Sequence, residues 1–301
     1  MALTYRKVGI TARSDISNRE ETLQEIVRIV EGAGAKVLLD AKRCVIPELK
    51  GRAHYKSQKE LDLLIVLGGD GTILRSIREH DDFRVPILSV NKGTVGFLSE
   101  LTLSQAEAMI PHFLKGRGKV EKRSLLMITA KRGKKKLWEG RVLNEAVISQ
   151  GAISRLIDLK TNVNGDPLST FHADGVIIAT PTGSTAYSLA AGGPIVHPSL
   201  KATILTPINP HSFSQKPIVL PGENEIEVTI LTKPNKFGDV QVSLTLDGQT
   251  YVTLQRGDTV HAIVCDETAK FLRFSDETYF GTLRSKLKWG EGPETPDAKD
   301  E

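Results

Sequence analysis

Two glycine-rich turns, about a hundred residues apart, constrain the fold of this chain more than any other feature. The first, GGDGT at residues 68–72, follows an apolar run at residues 61–67. The second, TPTGSTAY at residues 180–187, follows GVIIA at residues 175–179. Each turn separates a buried-strand pattern from a helical one, and such a turn presents backbone N–H groups to phosphate at the positive end of a helix dipole. The two turns, with a carboxylate inside the first, therefore indicate an enzyme that handles two phosphorylated ligands.

The hydrophobic pattern changes character along the chain and predicts two kinds of architecture. In the first hundred residues, strand patterns such as 61–67 and 86–90 alternate with helical ones. This alternation predicts an α/β fold with a parallel sheet. From Lys119 onward, strands with period-two alternation and turns dominate, which predicts a mostly antiparallel, β-rich C-terminal domain.

These patterns lead to a prediction of two domains and a tail. Residues 1–116 form the predicted α/β domain that carries GGDGT, and residues 270–289 are expected to pack back on it. Residues 117–269 form the predicted β-rich domain. The tail at residues 290–301 is polar, with two prolines and five acidic residues, so we expect it to be disordered.

Composition narrows the class of protein and its partners. With 301 residues, 40% of them hydrophobic and 25% charged, the chain is expected to fold as a globular protein. It has no apolar run long enough for a membrane span and no signal-peptide pattern, and Cys44 and Cys265 form no CxxC pair. We therefore expect a cytoplasmic protein with no membrane partner.

The net charge of +4 comes partly from the basic run at residues 131–136. Such a run can bind nucleic acid, but Gly133 lies inside it between two strand patterns. We favour a solvated hairpin tip, and we expect small-molecule nucleotides rather than nucleic acid as ligands.

The GGDGT turn places a carboxylate where ligands bind in open α/β sheets, at the carboxyl end of a strand. Asp70 could accept a proton from a sugar hydroxyl there. The alternative is a tight turn in which Asp70 caps the following helix. The pattern lacks the Gly-Lys-Ser/Thr of a P-loop, and Leu74 occupies the place of the third glycine of a dinucleotide-binding fingerprint.

The second half of the chain carries residue types suited to an adenosine. The amide of Asn144 can pair with a base edge, and the carboxylate of Glu145 can take ribose hydroxyls. In the second turn, Gly183, Ser184 and Thr185 supply small residues and hydroxyls, and Tyr187 offers a ring for stacking. The alternatives are an ordinary polar strand end and a helix start with a core tyrosine.

GGDGT, the NE pair at residues 144–145, DGVIIATPTGSTAY at 174–187, AGGPI at 191–195 and DGQ at 247–249 occur in an order and spacing that resemble the NAD kinases. The resemblance runs from about residue 7 to residue 290. TPTGSTAY is its most specific part, because GGDGT is shared with diacylglycerol, sphingosine and 6-phosphofructo-kinases. It implies transfer of the ATP γ-phosphoryl group to the 2′-hydroxyl of the adenosine ribose of NAD, giving NADP. It also implies a divalent metal such as Mg²⁺, and a homodimer or homotetramer.

The same resemblance assigns roles by position. Asp70 would be the general base, Asn144 and Glu145 would hold the NAD adenosine, and Asp174 would meet the nicotinamide end. Residues 117–269 would then be the NAD-binding domain, and no metal ligand is assigned. The residues expected at the ligands are Gly69, Asp70, Gly71, Thr72, Arg75, Asn144, Glu145, Arg155, His172, Asp174, Thr182, Thr185, Ala186, Tyr187, Ala190 and Gln249.

Three positions depart from the family pattern. Ala190 stands where many bacterial members have Ser, so a hydroxyl contact to NAD should be missing. His172 stands where Arg is frequent, which replaces a permanent charge with a titratable one. Lys92 replaces a more usual apolar residue. These departures bear on affinity and donor use rather than on the class of enzyme.

Two alternative functions stay open at this point. One is a lipid or sugar kinase of the wider GGDGT group, against which the NE pair and TPTGSTAY argue, since a lipid site would need an apolar slot. The other is a non-catalytic NAD(P)-binding sensor, against which the presence of Asp70 argues. The choices between NAD and NADH, and between ATP and inorganic polyphosphate, are left open.

Overall fold

A computed structural model describes residues 2–13, 18–93, 96–151, 156–232, 241–274 and 279–289. Within these residues the strands are, in chain order, β1 (Lys7–Ala12), β2 (Lys36–Asp40), β3 (His54–Tyr55), β4 (Leu63–Leu67), β5 (Ile87–Asn91), β6 (Leu101–Thr102), β7 (Lys119–Arg132), β8 (Lys135–Val142), β9 (Glu145–Gln150), β10 (Ile157–Val163), β11 (Asp166–Ala173), β12 (Gly175–Ala179), β13 (Ala202–Ile208), β14 (Ile218–Pro221), β15 (Ile226–Ile230), β16 (Val242–Leu246), β17 (Thr250–Leu254) and β18 (Thr259–Arg273). The α-helices are α1 (Arg19–Gly32), α2 (Asp70–Arg78), α3 (Leu103–Leu114), α4 (Tyr187–Ala190) and α5 (Tyr279–Leu287).

The described residues group into two compact units. Those within Met1–Ile73, Val85–Glu121 and Phe271–Glu301 form the first unit, and those within Leu74–Arg84 and Lys122–Lys270 form the second. The division falls inside α2. Residues 74–84, which lie inside the predicted α/β domain, therefore belong to the second unit.

The first unit is built on a parallel sheet. Its strand order is β3-β2-β1-β4-β5, and every neighbouring pair in this order is parallel. All five residues of β4 are buried. A strand buried on both faces reads as a continuous apolar run rather than an alternating one, which is why residues 61–67 gave so strong a signal.

Helices α1 and α3 pack against this sheet in one hydrophobic core. The α1 residues at helical spacing, Leu23, Ile26, Val27 and Val30, are all buried in it. The helix ends at Gly32, and Gly34 takes a left-handed conformation with φ of +90°. The predicted α/β class with a parallel sheet is confirmed.

The second unit contains two sheets. One has the order β14-β13-β12-β9-β16-β17, and each of its neighbouring pairs is antiparallel. The other has the order β11-β10-β15-β18-β7-β8. Strands of both sheets contribute alternate residues, among them Leu126, Ile148 and Leu159, to one shared core. The predicted antiparallel β-rich fold of the C-terminal half is confirmed.

The basic run at residues 131–136 lies at the turn of the β7–β8 hairpin, as predicted. Gly133 takes a left-handed conformation there, with φ of +55° and nothing within 4 Å of a Cβ built on it. None of the helices in the described parts of the chain combines the length and hydrophobicity that crossing a bilayer requires.

Candidate active site

The first glycine turn forms at the carboxyl end of β4, and α2 follows it directly. Gly68 has a φ of +145°, and a Cβ there would lie 2.5 Å from the Thr72 hydroxyl. Only glycine fits, because the position needs both a left-handed backbone and the absence of a side chain. Gly69 is half-buried, whereas Gly71 lies in the first turn of α2. The predicted strand–turn–helix order of this segment is present.

Asp70, the first residue of α2, has a carboxylate that is held by the segment after β5. Its Oδ2 accepts from the backbone N–H of Phe97 at 2.9 Å. Its Oδ1 accepts from the N–H of Leu98 at 3.3 Å and from the Ser99 hydroxyl at 3.1 Å. A Cβ on Gly96 would lie 2.2 Å from Oδ1, so the segment approaches the carboxylate closely. The carboxylate is thus fixed in orientation, and Oδ2 keeps a second lone pair for a further donor.

The second glycine turn follows β12 and packs against the NE pair. The Thr180 hydroxyl donates to the Leu143 carbonyl at 2.5 Å, and the Thr180 N–H donates to the Asn144 carbonyl at 2.8 Å. A Cβ on Gly183 would lie 2.2 Å from that same Asn144 oxygen. The structure therefore brings together two motifs that are almost forty residues apart in sequence.

The hydroxyls of Ser184 and Thr185 in the second turn, and of Ser188 just after it, form hydrogen bonds within the protein. Ser184 Oγ donates to the Pro181 carbonyl at 2.6 Å and accepts from the N–H of Val196 at 3.0 Å. Ser188 Oγ lies 2.9 Å from Thr206 Oγ1. Thr185 Oγ1 donates to the Thr182 carbonyl at 3.2 Å. These bonds shape the turn and bind it to neighbouring strands.

A helix follows the second turn, as predicted, but it is short, and phosphate binding there stays a prediction. The segment forms a three-residue 3₁₀ turn, Gly183–Thr185, and then the four-residue α4. Gly192, in the turn that follows α4, has φ of +85°. A helix this short has no sizeable dipole, because the dipole is a sum over aligned peptide units.

Side chains near α4 are nonetheless accessible. Tyr187 is 47% exposed, Ala190 is exposed, and Ala186 is half-buried. Because Tyr187 and Ala190 are three residues apart on one helical turn, they lie on the same face. Thr182 is buried and accepts a long, 3.5 Å hydrogen bond from Nη1 of the buried Arg123, a residue that the sequence analysis did not identify.

The NE pair is fixed by a residue that the sequence analysis named but gave no role. Asp247 Oδ2 accepts from the N–H of Leu143 at 2.9 Å. Its Oδ1 accepts from the N–H of Asn144 at 2.8 Å and of Glu145 at 3.1 Å. Three consecutive N–H groups therefore converge on one carboxylate, which orients the backbone that carries the predicted adenosine-binding pair.

Glu145 is 7% exposed, and among the described residues its Oε2 has no hydrogen-bond partner. Burial, and secondly the charge of Asp247, raise the pKa of Glu145 to about 8. Burial also raises the pKa of Asp247, to about 6, against the lowering effect of its three N–H donors. Since Asp247 has these donors, it is the more acidic of the pair, and Glu145 is the one that carries a proton at neutral pH.

Asp174, which follows β11, is held by two amides. Its Oδ1 accepts from Gln150 Nε2 at 2.9 Å, and its Oδ2 accepts from Asn209 Nδ2 at 3.0 Å. His172 belongs to a different group of contacts, with Nδ1 2.8 Å from Asp158 Oδ1 and its ring 5.8 Å from that of His211. The two residues are thus oriented independently.

Gln249 and the arginines complete the predicted set. The exposed Gln249 accepts through Oε1 from Arg78 Nη1 at 2.8 Å. Arg75 is half-buried one turn before Arg78 on α2. Arg155 lies outside the described residues, so its predicted ligand contact stays a prediction.

Comparison with known proteins decides the family. Residues 8–118 match the ATP-NAD kinase N-terminal domain, and residues 143–274 match the ATP-NAD kinase C-terminal domain. The NAD kinase of Geobacter sulfurreducens is 38% identical over 289 residues, which cover 95% of this chain and 99% of that protein. The chain belongs to the NAD kinase family. The NAD kinase of Trichlorobacter lovleyi is 42% identical over 242 residues, covering 80% of this chain and 84% of that one.

Solved structures of the NAD kinase family share the fold. The yeast NADH kinase complexed with NADH superposes with a TM-score of 0.83 at 26% identity, covering 97% of this chain and 90% of that one. An NAD kinase from Archaeoglobus fulgidus in complex with ATP gives a TM-score of 0.71 at 25% identity, covering 94% and 98%. The resemblance stated from the motifs is confirmed, and the lipid- or sugar-kinase alternative is set aside.

Proposed function

We propose that this chain transfers the γ-phosphoryl group of ATP to the 2′-hydroxyl of the adenosine ribose of NAD, with Asp70 as the general base. Family membership supports the reaction. The role of Asp70 is supported by its carboxylate, which lies after the end of β4 and is oriented by hydrogen bonds from Phe97 and Ser99. In the proposed step the 2′-oxygen attacks the γ-phosphorus, the bond to ADP breaks, and the hydroxyl proton passes to Asp70. No covalent phospho-enzyme is involved.

In this proposal the first turn and α2 bind the phosphates of ATP. The start of a helix favours an anion, because unpaired backbone N–H groups and the positive end of the helix dipole both attract negative charge. Gly69 allows close approach, because the nearest atom to a Cβ there is Asn91 Nδ2, 3.8 Å away. Gly71, Thr72 and Arg75 are proposed as further contacts of this substrate.

The second unit is proposed to bind NAD. Asn144 and Glu145 would hold the adenosine, while Asp174 would meet the nicotinamide end. The groups proposed as further contacts are Arg155, His172, Thr182, Thr185, Ala186, Tyr187, Ala190 and Gln249. Most of them share a position at a strand end or on the second turn.

We propose that the phosphoryl donor binds as the Mg²⁺ complex of ATP. Among the described residues, no group of three or more His, Cys, Asp and Glu side chains is placed to hold a metal ion. We propose that Mg²⁺ enters as part of the substrate, held largely by phosphates and water, with few protein ligands. Magnesium commonly keeps several waters and binds substrate phosphates.

Purified protein incubated with ATP, Mg²⁺ and NAD is expected to form NADP, and to phosphorylate neither diacylglycerol nor fructose 6-phosphate. The assay measures NADP by a dehydrogenase that accepts only NADP. Parallel reactions with NADH and with inorganic polyphosphate establish acceptor and donor range. A protein that phosphorylated the lipid or the sugar and left NAD unchanged would refute the proposal, and binding of NAD without turnover would support a sensor.

Ala190→Ser is expected to tighten NAD binding by about 0.5–1.5 kcal/mol, the worth of one hydrogen bond. Ala190 is exposed on the same face of α4 as Tyr187, so an added hydroxyl is accessible to a ligand. Isothermal calorimetry measures the change, with ATP affinity as the internal control. An unchanged or weaker affinity for NAD would place this position away from the ligand.

We also propose a cytoplasmic homodimer or homotetramer. The location is supported by Cys44 and Cys265, which are both free and buried. The assembly is supported by the resemblance to the family, and light scattering on the purified protein tests it.

A further inference from the structure

Asp247 occupies a turn that aims its carboxylate at the NE pair. Asp247 and Gly248 have φ of +47° and +65°, and they are the first two residues of the three-residue turn, 247–249, that joins β16 to β17. The N–H of Asp247 donates to the Glu145 carbonyl at 3.0 Å, while its carboxylate accepts from the Glu145 N–H. The hairpin turn and the start of β9 are thus bonded in both directions.

Glu145 has the opposite environment, although it lies beside Asp247. Its side chain is buried, and among the described residues Oε2 receives no donor. A buried carboxylate without donors is costly, particularly next to a second negative charge. The negative charge of Asp247 raises the pKa of Glu145. The positive charge of Arg78 on α2 lowers the pKa of Asp247.

The protonation state of Glu145 matters because the product of the proposed reaction carries a new phosphate. A phosphate monoester holds about −1.5 to −2 charges at pH 7. An ionised Glu145 at the adenosine ribose would repel that group. A neutral carboxylic acid could instead accept from one ribose hydroxyl and donate its own proton to a second oxygen.

We propose that Asp247 positions Glu145 and keeps it neutral, so that Glu145 donates a hydrogen bond to the 2′-oxygen as negative charge develops there. The proton stays on Glu145 throughout, and the hydroxyl proton goes to Asp70 as before. Asp247 is therefore a positioning residue, and Glu145 determines how well the site tolerates a 2′-phosphate. This inference rests on the proposed function.

The test compares the Kd of NADP with the Kd of NAD between pH 7 and pH 9. The 2′-phosphate is almost fully ionised across this range, so its own titration contributes little. With a pKa of about 8 for Glu145, its protonated fraction falls about tenfold over the range. The ratio of Kd for NADP to Kd for NAD is therefore expected to rise about tenfold in the unchanged enzyme.

Three variants are compared with the unchanged enzyme, and Glu139→Gln is the matched control for Glu145→Gln. Glu145→Gln keeps a neutral donor at every pH, so its ratio is expected to stay constant. Glu139→Gln removes an exposed carboxylate whose pKa is lowered by Lys136, and its ratio is expected to rise as in the unchanged enzyme. Asp247→Asn removes the charge that acts on Glu145, so the rise is expected at lower pH.

Each outcome decides between the two proposals. A constant ratio in the unchanged enzyme, with both nucleotides bound, overturns this inference and leaves the proposed function intact. A ratio that still rises in Glu145→Gln also overturns it, whether or not Asp247→Asn folds. If no NADP forms from NAD and ATP at any pH, the proposed function fails instead.

Discussion

Asp70→Asn is expected to lower kcat about 10²–10⁴-fold, the usual contribution of a placed general base. An amide cannot take the proton of the 2′-hydroxyl. The Kd of NAD is expected to change much less, because the groups proposed to hold NAD lie elsewhere in the chain. Steady-state kinetics with saturating ATP, together with calorimetric titration of NAD, measure the two effects.

Asp70→Asn is also expected to change the stability of the protein. Both oxygens of Asp70 accept hydrogen bonds, so the NH₂ group of an asparagine must face Phe97 N–H or the donors of Leu98 and Ser99. We expect a loss of stability of about 1–3 kcal/mol from that mismatch. Ser99→Ala is the control, because it removes one of the same bonds and keeps the base.

The two variants separate a catalytic from a structural role. If Asp70 is the base, Ser99→Ala loses stability but retains kcat within a few-fold. If Asp70→Asn instead keeps near-normal turnover with intact NAD binding, Asp70 only caps the helix and holds residues 97–99. Thermal unfolding of both variants shows whether the enzymes that are compared are folded.

Gly183→Ala is expected to destabilise the protein by about 1–3 kcal/mol or more, as overpacking does. The added Cβ would lie 2.2 Å from the Asn144 oxygen and 2.6 Å from its carbonyl carbon. Both are backbone atoms, so no side chain can rotate away, and the NE pair must shift. Urea unfolding measures the stability, and we expect the KM for NAD to rise with it.

Gly32→Ala makes the same chemical change at a harmless position. Gly32 ends α1, and nothing lies within 4 Å of a Cβ built there. Alanine is a better helix former than glycine by up to about 1 kcal/mol, so this variant is expected to be neutral or more stable. A Gly183→Ala protein as stable as the Gly32→Ala protein would show that the second turn does not pack tightly against the backbone of Asn144.

The parallel sheet was predictable because burial on both faces imposes an unusual pattern. The run that became β4 contains only large aliphatic residues, and the α1 positions Leu23, Ile26, Val27 and Val30 repeat with the period of a helix. The short α4 was not predictable in the same way. Its length depends on Ser184 and Ser188, whose partners Val196 and Thr206 are 12 and 18 residues further along the chain.

In the site, too, the residue types were readable from the sequence, whereas the contacts between residues far apart in the chain were not. Asn144 and Glu145 suggested a nucleotide site from their chemistry alone, but nothing local indicated what holds them. Asp247 is separated from Leu143 by 104 residues. The Asp-Gly pair at 247–248 is a hairpin-turn signal, and it could have placed Asp247 at a tight turn. Its contact with the NE backbone required the structure.

The buried carboxyl pair also couples folding to hydrogen-ion uptake. The pKa of Glu145 is raised from 4.5 to about 8, and that of Asp247 from 3.8 to about 6. Between the ordinary and the raised values, the native protein holds protons that the unfolded chain has released. Stability therefore decreases as pH rises through this interval, the reverse of the behaviour of a salt-bridged carboxylate. At neutral pH, folding of the second unit withdraws about one proton from the buffer, and calorimetry in buffers of different ionisation enthalpy would register it as a buffer-dependent enthalpy of unfolding.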